Sequence, residues 1–121
     1  MAKTAKSGLA KDSLAFFTDL PIPKIRLASE LGVARSTLWQ WHKLAYYRVS
    51  GFKENYPKKA DGKIDKTAPL SGYQAWCISL IGRLFKIYGS EERVKLYILN
   101  NPDDFSIYKF KAAAHKIYES N

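Results

Sequence analysis

The stretch LASELGVARSTLWQW, residues 27–41, carries the pattern that decides the fold. Ala28 is small, Gly32 follows four positions later, and Val33 comes directly after the glycine. Because glycine adopts a positive φ without steric cost, Gly32 predicts a sharp turn between two helices. Ala28 then marks the place where the second helix crosses close to the first, and Val33 fills the angle between them.

Apolar residues at helical spacing predict which sides of these two helices face the core: Leu27, Leu31, Leu38 and Trp41. Together with Ala28, Gly32 and Val33, they resemble the helix-turn-helix of bacterial and phage DNA-binding proteins, over about residues 24–44. The resemblance implies a first helix over 24–31 and a recognition helix over about 35–47 that enters the major groove. The chain departs from the family at Ala34, because a Ser or Thr is the commoner N-cap there. The alternative is an ordinary helical hairpin inside a core.

With Leu38 and Trp41 inward, the remaining side of the second helix is predicted to face DNA. Arg35 and Gln40 suit base edges, whereas Lys43 suits a phosphate. Trp39 is expected either to touch a thymine methyl group and sugar or to pack on the first helix or the C-terminal half, and His42 to lie at the surface or its boundary. A solvated helix face is the alternative for the charged residues. The predicted DNA-binding residues are Lys24, Arg35, Ser36, Thr37, Trp39, Gln40, Lys43 and Arg48.

The charge of the chain favours a polyanionic partner. Its formal net charge is +9, and residues 1–66 hold thirteen Lys and Arg against six Asp and Glu, a net of +7. Lysines neutralise phosphates and release counterions. The basic half is also the half with the helix pair, and a lysine-bearing arm over 1–11 and a five-lysine loop could add backbone contacts.

The rest of the chain predicts further helices, so the fold class is mostly α. A short helix is expected over 14–20, then a loop or linker over 51–72 with a short hairpin near Asp61-Gly62, and helices over 73–88, from Ser90 to Asn100, and over 105–119. Capping residues mark the starts and glycine or proline the ends. The chain is thus expected to comprise a DNA-binding region over 1–50, the linker over 51–72, and a helical packing or dimerisation region over 73–121.

The segment 73–88 is apolar almost all round. Such a helix is either wholly buried or paired with another chain. Three short helices are expected to cover one side of it, and its other side predicts a homodimer, as helix-turn-helix proteins commonly form. An intramolecular core that continues the N-terminal region is the alternative.

Several function classes find no support in the sequence. Cys77 is the only cysteine, so there is no intramolecular disulfide, and with two scattered histidines no zinc site is expected. No catalytic or cofactor-binding pattern is present, and the acidic pairs are explained as helix-start residues. Neither a signal peptide nor a membrane span is expected, which favours a cytoplasmic setting.

These features predict a non-enzymatic protein that binds double-stranded DNA sequence-specifically, foremost as a small transcriptional regulator. The second hypothesis is a recognition or architectural subunit of a DNA-processing machine, such as a packaging, excision or partition factor. The third is an RNA-binding or protein-interaction module whose helix pair only mimics the motif.

Overall fold

The computed structural model describes residues 16–56, 59–63 and 68–119, and these are mostly helical, as predicted. The helices within these ranges are α1 (Lys24–Leu31), α2 (Arg35–Arg48), α3 (Gly72–Tyr88), α4 (Glu91–Asn100) and α5 (Ile107–Glu119). Two short 3-10 helices, Lys53–Asn55 and Pro102–Phe105, lie in the connections. The lysine-bearing arm over 1–11 lies outside the described residues.

The turn between α1 and α2 is built on Gly32, which has a φ of 71°. The Gly32 N–H donates to the Ser29 carbonyl at 3.1 Å, and the Val33 N–H donates to the Ala28 carbonyl at 3.0 Å. This pair of bonds is a Schellman motif, which satisfies the last carbonyls of a helix and reverses the chain. The predicted bounds of the first helix and the glycine turn therefore agree with the structure.

Helix α2 buries one side against the core and leaves the other in solvent. Leu38, His42, Leu44 and Ala45 are buried, and Trp41 is half-buried. The expectation that His42 lies at the surface or its boundary is wrong, because its Nε2 forms a short hydrogen bond with the Tyr56 hydroxyl. This partner offsets the cost of removing the imidazole from water.

Helix α3 is the centre of the molecule. Ser71 caps it in a reciprocal box with Gln74, and Gly89 ends it in the left-handed conformation, so the predicted start and end are confirmed to within one residue. Helices α2, α4 and α5 all pack against α3. Every residue from 73 to 81 is consequently buried within one chain. The expectation that one side of this helix stays uncovered is therefore wrong for residues 73–81, whereas Lys86 and Ile87 near its C-terminal end are exposed.

The connection over 51–72 contributes to the same core. Phe52, Tyr56 and Leu70 are buried, and Leu70 exchanges two backbone hydrogen bonds of 2.8 Å with Ile22. The predicted hairpin appears as a tight turn, in which the Lys59 N–H donates to the Lys63 carbonyl at 2.7 Å. The apolar residues of this loop thus join the N-terminal helix pair to α3.

The helix expected over 14–20 is absent from its described part, residues 16–20. The Phe16 N–H donates to Ser79 Oγ at 3.0 Å, so a tertiary contact takes the place of a helical bond. The Thr18 carbonyl passes so close to Gly72 that a Cβ there would come within 2.6 Å of it. Docking of this segment on α3 therefore overrides its helical pattern. Residues 14 and 15 lie outside the described ranges.

The last helix starts at Ile107, two residues later than predicted. The Pro102–Phe105 turn precedes it, and the Phe105 carbonyl accepts a hydrogen bond of 2.6 Å from the Tyr73 hydroxyl. Because this carbonyl is committed to α3, α5 begins only after Ser106, whose hydroxyl accepts from the Lys109 N–H.

Candidate nucleic-acid interface

The exposed side of α2 carries a polar strip of four side chains in line, bordered by the exposed Arg35, Trp39 and Arg48. Ser36, Gln40, Lys43 and Tyr47 are all exposed, and their spacing of four, three and four residues places them in line along the helix. Tyr47 is 68% exposed and was not among the predicted residues. The same spacing, continued by one more turn from Lys43, is the signal that identifies it.

The N-terminal end of α2 forms one end of this strip. Arg35 and Ser36 are exposed there, beside Ile25 and Lys24 of α1. Ala34 has no side chain able to cap the helix, which leaves the first N–H groups of α2 without a side-chain acceptor. Such a helix end offers N–H groups and a positive dipole to an anion.

Trp39 lies at the edge of the strip, and its ring packs on a residue of its own helix, which neither predicted alternative included. Its ring stacks on the ring of His42, with centroids 5.1 Å apart and planes 13° apart. It nevertheless remains 51% exposed. Packing on the buried histidine one turn later thus fixes the indole, while its outer part stays accessible beside Arg35 and Ser36.

Gln40 has a partner that the sequence pattern did not reveal. Its Nε2 donates to Glu91 Oε1 at 3.3 Å, and Glu91 also pairs with Lys95 at 3.1 Å. The pKa of the Glu91 carboxyl is lowered because it accepts hydrogen bonds from Lys95 and Gln40, with a smaller contribution from the nearby charge of Lys43. An anionic group from α4 therefore stands beside the middle of the strip. No sequence signal pointed to this pairing, since the two residues are 51 positions apart.

The remaining predicted residues border the strip rather than lie on it. Thr37 is half-buried, on the side of α2 that turns toward the core. Arg48 is exposed at the end of α2, where it lines a shallow depression with Gln40, Lys43, Tyr47 and Glu91.

Lys24 stands apart from the strip, on α1. It is half-buried, and its Nζ lies 5.8 Å from the centre of the Tyr56 ring. The cation therefore lies above the ring of the tyrosine whose hydroxyl bonds His42.

Two other kinds of site were sought in the described ranges. No cluster of three or more His, Cys, Asp or Glu there is arranged to share a metal ion. Among the described helices, none has the length and apolar character needed to cross a membrane.

Comparisons of the chain with protein-family models, with curated proteins and with solved structures found no match.

Proposed function

We propose that this protein binds double-stranded DNA by inserting the exposed side of α2 into the major groove. The observation that carries the proposal is the strip of Ser36, Gln40, Lys43 and Tyr47, which faces solvent while the opposite side of the same helix is anchored in the core. A helix with its side chains is roughly 10–12 Å across, and the major groove is about 12 Å wide. Size, polarity and rigid support therefore match this groove.

The residues divide into two roles. Gln40 offers a donor and an acceptor to the base edges that distinguish base pairs, and Arg35 offers a fork of donors. Ser36 can contact either type of base edge. Lys43 and Arg48 suit phosphates on the flanks of the groove. The uncapped N–H groups at the start of α2 suit a further phosphate. Tyr47 adds an aromatic ring and a hydroxyl at the far end of the strip.

A sequence-specific transcriptional regulator in the cytoplasm, acting by binding and not by catalysis, is the form of this function that we favour. A recognition subunit of a DNA-processing machine uses the same surface, and it differs in forming larger assemblies with an enzyme. An RNA-binding module is the third form, and a preference for RNA at equal salt identifies it.

A homodimer is part of the same proposal, but on a different observation from the one in the sequence. Since residues 73–81 of α3 are covered within one chain, this part of the helix offers no surface for a second copy. Leu96 and Leu99 of α4 are 56% and 72% exposed on one side of that helix. Identical apolar patches on two copies can pair about a two-fold axis. In such a dimer the two copies of α2 can reach successive major grooves.

The test compares Gln40→Ala with Lys43→Ala on a preferred site, obtained by selection from a random duplex pool, and on random DNA. Gln40→Ala should cost about 1–3 kcal/mol on the preferred site and little on random DNA, because it removes a base contact. Lys43→Ala should weaken both by similar factors, because it removes a phosphate contact.

Lys111→Ala is the matched control, since it removes the same charge from an exposed position on α5. Its affinities for the preferred site and for random DNA should change only by the small general effect of losing one positive charge. If Gln40→Ala and Lys43→Ala behave like this control, the exposed side of α2 does not meet DNA, and the helix pair is a structural hairpin.

A further inference from the structure

The side chain of Gln40 is held by a carboxylate from another helix. Gln40 Nε2 lies 3.3 Å from Oε1 of Glu91, the first residue of α4. An ionised carboxylate accepts hydrogen bonds and donates none, so the amide nitrogen of Gln40, and not its oxygen, must face Glu91. This one contact therefore determines which way round the amide group points.

Glu91 is itself held in place. Its second oxygen lies 3.1 Å from Lys95 Nζ, one turn further along α4. Ser90 caps this helix by accepting from the Arg93 N–H, and Val94 is buried in the core. The carboxylate thus stands on a rigid element, which is the requirement for a group that orients another side chain.

The orientation has a consequence for base reading. The amide nitrogen carries two hydrogens, so one remains after the other is donated to Glu91, and the carbonyl oxygen is turned away from the carboxylate. Gln40 then presents one donor and one acceptor outward. In the major groove adenine presents the complementary pair, the N7 acceptor and the N6 amino donor.

We infer that Glu91 is a positioning residue that orients the Gln40 amide to read an adenine. The inference rests on the proposed function, because it requires α2 to lie in the major groove. It goes beyond that proposal by naming the base and by adding a residue outside the helix pair.

The experiment measures affinities for four duplexes that differ only at the base pair where Gln40→Ala loses discrimination. The wild type should favour adenine there by about 5- to 150-fold, the range of a good bidentate contact. Glu91→Ala should lower that ratio by about two- to tenfold, the effect of losing one hydrogen bond. Glu91→Gln should retain most of the ratio, because its amide oxygen can still accept from Gln40.

Glu92→Ala is the matched control, because Glu92 carries the same charge in the same first turn and is exposed. Both alanine variants should bind random DNA slightly more tightly, but only Glu91→Ala should lower the adenine ratio. In the protein without DNA, the NMR signals of the Gln40 side-chain amide should shift in Glu91→Ala and stay in place in Glu92→Ala. Thermal melting verifies that each variant is folded.

Distinct results overturn the inference. A preference by Gln40 for a base other than adenine contradicts it. An equal loss of the adenine ratio in the two alanine variants also contradicts it, because Glu91 would then act only through its negative charge. A loss of discrimination in Glu91→Ala at a different base pair makes Glu91 a direct base contact instead. In these cases duplex binding by the wild type persists, so the proposed function stands; a wild type that binds no duplex DNA overturns both.

Discussion

At the residue scale, Gly82 sets how closely α2 approaches α3. A Cβ placed on Gly82 would lie 2.5 Å from the six-membered ring of Trp41, closer than side-chain carbons approach. The indole also stacks near Phe85, with ring centroids 6.3 Å apart. The absence of one side chain on α3 thus seats the tryptophan that fixes the rotation of α2.

Gly82→Ala is expected to destabilise the protein because the new methyl group displaces the Trp41 ring. Overpacking of this kind lowers the free energy of unfolding by about 1–3 kcal/mol. The better helix propensity of alanine offsets up to about 1 kcal/mol of this loss. Thermal melting, with tryptophan fluorescence of the folded state, is the measurement.

Gly32→Ala is the comparison for this change. No atom lies within 4 Å of a Cβ there, but the φ of 71° strains any L-residue, which costs roughly 1–2 kcal/mol. It should lower the melting temperature without altering the fluorescence. A Gly82→Ala protein with unchanged melting and fluorescence would show that the helices do not approach as described.

At the element scale, α1 supports α2 through a small contact. Leu27 and Ala28 are the buried residues of α1, and the backbone of Ala28 also receives the bond from Val33. With no side-chain cap at either N-terminus, the pair depends on this packing and on the Gly32 turn rather than on capping.

Ala28→Leu is expected to separate the two helices. The larger side chain overpacks a position that is almost completely buried, at a cost of about 1–3 kcal/mol. Ser29→Leu, on the neighbouring exposed position, adds a similar apolar side chain without a steric conflict. Thermal melting should distinguish the two variants, and equal melting points would mean that α2 does not cross α1 at Ala28.

At the scale of the whole molecule, charge governs the strength of the proposed DNA binding. Each neutralised phosphate contributes about −0.9 to the slope of log K against log salt concentration. Phosphate contacts from Lys24, Lys43 and Arg48 therefore predict a slope of about −3 or steeper. Titration of duplex DNA at three or more salt concentrations measures it, and a flat response would remove backbone binding from the proposal.

The oligomeric state is the second prediction at this scale. If the exposed leucines of α4 pair two copies, sedimentation at micromolar concentration should show a dimer. Leu99→Glu should then yield a folded monomer, because it places a charge in an apolar contact. Leu20→Glu, at an equally exposed position outside α4, should leave the dimer intact. A wild-type monomer would contradict the homodimer, and with it the expectation of a symmetric binding site.

Local patterns in the sequence determined most of the helices and their ends, although not the absence of a helix over 16–20 or the start of α5. Ser71 with Gln74, Gly89, Ser90 and Gly32 each act within a few residues of themselves, so the starts and stops that they predict need no knowledge of the fold. The outward set of α2 followed in the same way from the positions of its apolar residues, because helical periodicity is also a local property.

Only the tertiary structure decided what meets across long separations in the chain. It buries His42 on Tyr56, covers residues 73–81 of α3 within one chain, and docks the segment at Phe16 on Ser79 in place of a helix. It also brings Glu91 to Gln40. Each of these depends on packing between residues distant in sequence, and periodicity, which reports which side of a helix is apolar, does not report what will cover it.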